Sequence, residues 1–235
     1  MESQLEPTLY DTIAPSDVVI YDKHIDADVR AAGYNIGDLL NMPYLAGQWE
    51  QCPHASQEML DRMNLVGAAY ENSILRKYTT QRNAGEKVPD IERIKACVGW
   101  FASENAGVLA GILGVVRDPG CVCVHVRSGD LDTEQAHIDR IARVSRLYAR
   151  VILLAGVHLD ERCRSHAAKI QNFVSTINTI LRLNTNIRVH LAPPDVHLAV
   201  MMHAANLMVH KTGFSRLGAI VATGRVISGE PNGGT

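Results

Sequence analysis

The sequence predicts an α/β protein of two lobes, each a parallel sheet flanked by helices, and three observations carry that prediction. Beyond the turn Asp118-Pro119-Gly120, short β-rich apolar runs alternate with amphipathic helical stretches as far as residue 227. Such alternation builds parallel sheets, because the chain must return across one face of the sheet before it can lay down the next strand. Before the turn, another β-type run, a glycine turn and helical patterns supply the parts of a second Rossmann-like lobe facing the first across a cleft. Charge divides at the same turn. Residues 1–118 hold 10 Lys+Arg against 17 Asp+Glu, and residues 119–235 hold 13 against 8.

In chain order, Asp17-Val18-Val19-Ile20-Tyr21 reads as a short buried strand, and Gly33-Tyr34-Asn35-Ile36-Gly37-Asp38 as a glycine turn opening a helix through Leu39, Leu40 and Leu45. Residues 54–78 carry a helical pattern with Met59, Met63, Val66, Tyr70 and Leu75 on one face. The polar run 79–87 is a surface loop, and Val88-Pro89-Asp90 opens a further helix. After the Asp118-Pro119-Gly120 turn the pattern predicts strand 121–127, helix 133–149, strand 150–155, helix 161–182, strand 187–191, helix 195–204, strand 206–210, helix 213–222 and strand 225–227. The two lobes are therefore 1–118 and 119–235, with the last eight residues a polar tail.

With 235 residues, 46% of them hydrophobic, the chain can bury a sizeable core. Its longest apolar run, Gly107 to Val116, has ten residues and three glycines, too short for a membrane span. Met1-Glu2-Ser3-Gln4-Leu5-Glu6-Pro7 lacks the basic start and apolar core of a signal peptide. Five cysteines, an odd number with Cys121 and Cys123 inside a predicted strand, suit reduced thiols and a cytoplasmic location better than a disulfide framework. The positive second half is the anion-binding half. Nucleic acid is disfavoured as its partner, because Phe173 and Phe214 are the only phenylalanines there and the basic side chains are not interleaved with aromatics.

The chemistry concentrates in Val122-Cys123-Val124-His125-Val126-Arg127-Ser128-Gly129-Asp130, where a β-type run delivers a His, an Arg and an Asp into a turn before a helix. In an open α/β sheet ligands bind beyond the carboxyl ends of the strands, where helix N-termini offer free N–H groups to an anion. Arg127 adds a planar, permanently charged fork suited to phosphate. His125 reads either as a satisfied core histidine or as a residue that lines the ligand pocket or fixes the turn, and Asp130 as a helix cap or an orienter of Arg127 or, equally, as a ligand contact. A second turn, Thr212-Gly213-Phe214-Ser215, combines hydroxyls, a glycine for close backbone approach and the start of a helix, which suits either a plain helix cap or a phosphate. Asp195 follows Pro193-Pro194 and suits a helix cap equally well.

These segments resemble the fucosyltransferase-like glycosyltransferases. His125-Val126-Arg127-Ser128-Gly129-Asp130 is similar to the family's His-x-Arg-Arg-x-Asp motif, and Asp195 with Met201 to Val209 and Thr212-Gly213-Phe214-Ser215-Arg216 resembles its later motif; together they cover about residues 122–226. The resemblance implies a GT-B fold, with 1–118 on the acceptor side and 119–235 holding a nucleotide sugar. It implies an inverting transfer of fucose, xylose or a similar sugar from a GDP- or UDP-sugar to a glycan hydroxyl. His125, Arg127, Asp195, Thr212, Gly213, Phe214 and Ser215 would bind the donor. Ser128 stands where the family commonly has a second Arg, so Lys211, Arg216 or a helix N-terminus must meet the second phosphate.

Inverting transfer needs a base for the acceptor hydroxyl, and Asp38, after the glycine turn of the first lobe, is the first candidate, with His24 and Asp22 in reserve. No cofactor or metal is expected. The pairs Asp26-Ala27-Asp28 and Asp130-Leu131-Asp132 lie in charged loop-like sequence, and His190, His197, His203, His210, Cys121 and Cys123 lack structural-zinc spacing. Two alternatives stand beside this reading. One is a polysaccharide pyruvyl-transferase-like enzyme, loosely suggested by Asn35-Ile36-Gly37-Asp38. The other is an inactive nucleotide-sugar-binding scaffold lobe, suggested by the degenerate Arg127-Ser128 pair and the short chain.

Overall fold

The computed structural model describes residues 8–19, Pro53, 91–129, 133–158, 165–210 and 213–227. The expectations for the turn at 33–38, the helix at 54–78 and the loop at 79–87 lie outside the described residues.

Two consecutive helices, α1 (Ile91–Glu104) and α2 (Ala106–Val116), precede five strands: β1 (Cys121–Gly129), β2 (Arg150–His158), β3 (Ile187–Leu191), β4 (Asn206–Met208) and β5 (Arg225–Ile227). Helices α3 (Gln135–Val144), α4 (His166–Leu181), α5 (Pro194–His203) and α6 (Gly213–Val221) connect them. All pairings among these five strands are parallel, and their order is β3-β2-β1-β4-β5. The predicted α/β alternation is therefore present as one five-stranded parallel sheet flanked by helices. From β1 the chain steps outward to β2 and β3, then returns to the other side of β1 for β4 and β5. That reversal opens a crevice between the carboxyl ends of β1 and β4.

Strand β1 alternates faces as a buried strand must. Cys121 and Cys123 join the core made with α1, α2, α5 and α6, while Val122, Val124 and Val126 join the core made with α3 and α4. In α2 the buried Leu109, Ile112, Leu113 and Val116 follow the i, i+3, i+4, i+7 spacing of one helical face. Helix α4 starts on Ser165, whose hydroxyl accepts the Ala168 N–H at 3.2 Å. Helix α5 has Pro194 at its first position and is buried almost all round, from Pro194 to Met201. No single helix among the described residues is long and apolar enough to cross a membrane.

The expected strand Asp17–Tyr21 is described only as far as Val19, and no strand is formed over Asp17–Val19. Pro15–Asp17 is instead a 3-10 turn, held by Asp17 Oδ2 accepting the Ala14 N–H at 2.7 Å. Val18 and Val19 are buried as expected, and the Val19 carbonyl accepts the Val157 N–H at 3.0 Å, beside β2 where β3 has ended. Upstream, Tyr10 and Val189 exchange two backbone hydrogen bonds at 3.0 Å, and Asn178 of α4 binds both the N–H and the carbonyl of Ile13 at 2.9 Å. Residues 8–19 thus close the β3 side of the sheet. The core draws on residues from both sides of the Asp118-Pro119-Gly120 turn, since α1, α2 and Ile13, Val18 and Val19 all pack against it.

The remaining differences are at element ends. Helix α3 is shorter than the predicted 133–149, and β4 stops at Met208 instead of 210, whereas β1 and β2 run longer than expected.

Candidate functional site

The unequal lengths of β1 and β4 make the site. Leu207 and Met208 pair with Cys123 and Val124, and β4 then ends, while β1 continues to Gly129 against β2. In a parallel ladder, alternate residues turn their backbone groups to alternate neighbours. The Gly120 carbonyl accepts from Arg150 of β2 at 3.2 Å, so the even-numbered residues of β1 serve β2 and the odd-numbered ones face β4. The carbonyl of His125 faces β4 one step past its end, where a strand partner is missing.

His137 of α3 supplies the replacement: its Nε2 donates to the His125 carbonyl at 3.2 Å. A buried carbonyl without a partner is costly, which explains a histidine on the apolar stripe of α3 in line with Ile141 and Val144. This bond fixes the proton on Nε2. Nδ1 of His137 is buried and without a hydrogen-bond partner. Burial first, and the neighbouring His210 second, lower its pKa to about 4, so the ring is neutral at ordinary pH.

The crevice also joins two segments ninety residues apart. His125 Nδ1 and Ser215 Oγ share a hydrogen bond of 2.7 Å, and the His125 ring meets Phe214 edge-on, with centroids 4.9 Å apart. Both His125 and Ser215 are fully buried. The His125 ring is a buried side chain with a hydrogen-bond partner. Ser215, two residues into α6, is buried, and its hydroxyl shares this hydrogen bond with His125 Nδ1. Gly213 is the first residue of α6, whose opening N–H groups lie at the carboxyl end of the sheet.

His210, two residues past β4, lies against His137 with ring centroids 4.4 Å apart, and its Nε2 is 3.9 Å from Oε2 of Glu134, the residue before α3. The starts of α3 and α6 therefore lie on opposite faces of β1 at its carboxyl end.

A second histidine pair lies at the β3 end. His197 Nε2 donates to the His190 carbonyl at 3.1 Å, and the rings are 5.3 Å apart. Burial lowers the pKa of His190 to about 4 and that of His197 further below the ordinary range. Asp195 does not cap α5. Pro193 holds that position with no side-chain cap, because a proline pair starts this helix, and Asp195 lies buried in its first turn.

Arg127 lies in β1, its backbone paired with Gly156. Asp38, His24, Asp22, Asp130, Lys211 and Thr212 lie outside the described residues. Among the described residues no group of three or more His, Cys, Asp or Glu is placed to hold a metal ion. Sequence reasoning missed His137 altogether and weighed His210 only as a metal ligand. The available signal was a histidine on the apolar stripe of a helix next to the motif.

No protein-family model matches the chain, and neither a curated protein nor a solved structure is significantly similar to it.

Proposed function

We propose that the β1/β4 crevice binds the diphosphate of a nucleotide sugar, and that the protein is an inverting, metal-independent glycosyltransferase of fucosyltransferase-like type. The observation that supports this reading is the His125–Ser215 hydrogen bond. It brings together the two segments on which the resemblance rests, at the position where an open parallel sheet takes its ligand. In this reading Arg127 near the end of β1 supplies a fixed positive charge, and the opening of α6 at Gly213, which Thr212 precedes in the chain, supplies N–H groups for the phosphates. In this reading the fold is completed as two GT-B lobes, with the acceptor glycan on the side of residues 1–118 and GDP- or UDP-sugar as donor.

Leaving-group charge is met by Arg127 and the helix N-terminus. Asp38 takes the proton of the acceptor hydroxyl as the sugar transfers.

Calorimetric titration with GDP, UDP, GDP-fucose and UDP-xylose tests the donor site. One of them should bind, and Arg127→Ala should weaken it by about 2–3 kcal/mol with little change in folding. Unchanged affinity would place the phosphates elsewhere. Asp38→Asn should leave donor affinity within a few-fold and slow turnover about a hundredfold; full turnover in that variant would move the base to His24 or Asp22.

Ser128 in place of a second arginine favours one other reading, a nucleotide-sugar-binding scaffold without activity. Tight binding with no transfer to any glycan acceptor would select it.

A further inference from the structure

We propose that the face formed at the amino ends of the five strands, opposite the β1/β4 crevice, docks on a bilayer surface rich in anionic phospholipid, whatever the crevice binds.

In a parallel sheet every helix returns the chain to the same end, so the connections α2–β1, α3–β2, α4–β3, α5–β4 and α6–β5 all open on one face. Hydrogen bonds knit them together. Asn184 Nδ2 donates to the Ser145 carbonyl at 3.2 Å, Asn186 Nδ2 to the Ser145 and Tyr148 carbonyls at 2.8 Å, and Asn206 Nδ2 to the Pro119 and Cys121 carbonyls at 2.9 Å. These connections and the first residues of the strands carry five exposed arginines, Arg117, Arg146, Arg150, Arg182 and Arg225, against one carboxylate, Asp118. Asp118 is already engaged, its Oδ1 accepting the Gly120 N–H at 2.8 Å. Arg117 reaches His203 Nδ1 at 3.5 Å and Arg182 the Asn178 carbonyl at 3.1 Å, but no carboxylate among the described residues is within ion-pair distance of any of the five. Helix C-termini favour cations, which accounts for Arg117, Arg146 and Arg182 beside the ends of α2, α3 and α4, whereas Arg150 and Arg225 open strands. The apolar side chains gain nothing from a dipole. Among the described residues the exposed large hydrophobic side chains are Val108, Leu147, Leu183 and Val226, and three of these four lie on this face, each within a few residues of an arginine. Leu147, between Arg146 and Arg150, is 79% exposed.

An anionic bilayer answers both features. Guanidiniums spread over several connections meet phosphate groups laid out in a plane, and the leucines between them enter the acyl boundary. Because that boundary is fluid, it takes apolar side chains at any spacing, whereas a folded partner needs a pocket for each. Nucleic acid would use the arginines and leave the leucines in water, and the one aromatic ring in these connections, Tyr148, is half-buried with its hydroxyl donating to Asn206 Oδ1 at 3.5 Å. Co-sedimentation of the full chain with phosphatidylcholine vesicles, with and without about one-third phosphatidylserine, reads the docking directly. Binding should need phosphatidylserine and weaken as salt is raised. Arg146→Gln and Arg150→Gln should each weaken it about fivefold and together about 25-fold. Leu147→Ser should weaken it about fivefold and leave the salt dependence in place. Leu147→Trp should tighten it, a gain that a misfolded variant cannot produce. No sedimentation with phosphatidylserine vesicles at low salt, or sedimentation that the arginine and Leu147 variants leave unchanged, overturns the proposal. Loss with the arginine variants and none with Leu147→Ser overturns it too, and assigns the face to a soluble polyanion.

Discussion

Lowering the pH from 7.5 to 5 should cost the protein about 4 kcal/mol of folding stability before most of its carboxylates titrate. His137 and His190 are each held neutral by burial, with pKa values lowered to about 4, against about 6.5 in the unfolded chain. A histidine depressed in this way leaves the unfolded state binding more protons between the two values. Its stabilisation is complete above pH 6.5 and is lost as pH falls toward 4. By pH 5 each contributes about 2 kcal/mol of loss, and His197, lowered for the same reason, adds to it. Urea unfolding followed by circular dichroism at several pH values measures the slope. His137→Gln should lower stability at pH 7.5 and flatten the slope, since glutamine can still donate to the His125 carbonyl but cannot be protonated. Equal stability at pH 7.5 and pH 5 would mean that these rings are reached by water.

Gly224→Ala should destabilise the fold by about 3 kcal/mol. A Cβ at Gly224 would run into the backbone carbonyl oxygens of Ala204 and Ala205, the latter 2.6 Å away, and backbone cannot move aside as a flexible side chain can. The turn is also pinned on both sides. Thr223 N–H donates to the Met202 carbonyl and Arg225 N–H to the Ala205 carbonyl, both at 2.9 Å. Displacement of Gly224 would therefore pull β5 away from β4 and loosen the end of α6. Gly114→Ala is the contrasting case, because its Cβ meets nothing within 4 Å. There the substitution should stabilise α2 by about 0.5–1 kcal/mol, by restricting the unfolded backbone and favouring the helix. Thermal and urea midpoints of the two variants should move in opposite directions, and a Gly224→Ala protein as stable as the parent would show that the turn can relocate.

The βα alternation from residue 121 to residue 227 was legible in the sequence because each piece signals itself locally. Apolar runs of β-branched residues mark β1, β2 and β3, and helical spacing marks α3 and α4. At the start of the chain the same signals placed Val18 and Val19 in the core, where the Val19 carbonyl accepts from Val157 of β2, but Asp17 belongs to a 3-10 turn. Apolar periodicity reports that a residue is buried, and what it pairs with depends on which sheet edge is vacant.

The residues at the crevice divide in the same way. Arg127 and the Thr212-Gly213-Phe214-Ser215 turn stood out because a charged or glycine-bearing turn after an apolar strand is a local pattern. By itself the sequence determined the strands, most of the helices and the two segments that end facing one another. Only the tertiary structure decided the strand order, and with it that β4 stops opposite Val124 while β1 runs five residues further. His137 was summoned by that mismatch, because the His125 carbonyl lost a strand partner and a buried acceptor must find a donor. The tertiary structure also turned Ser215 inward to His125 and brought His210 beside Glu134 and His137. Those contacts span 12 to 90 residues of chain, and no local periodicity encodes which carbonyl a neighbouring strand will leave unpaired.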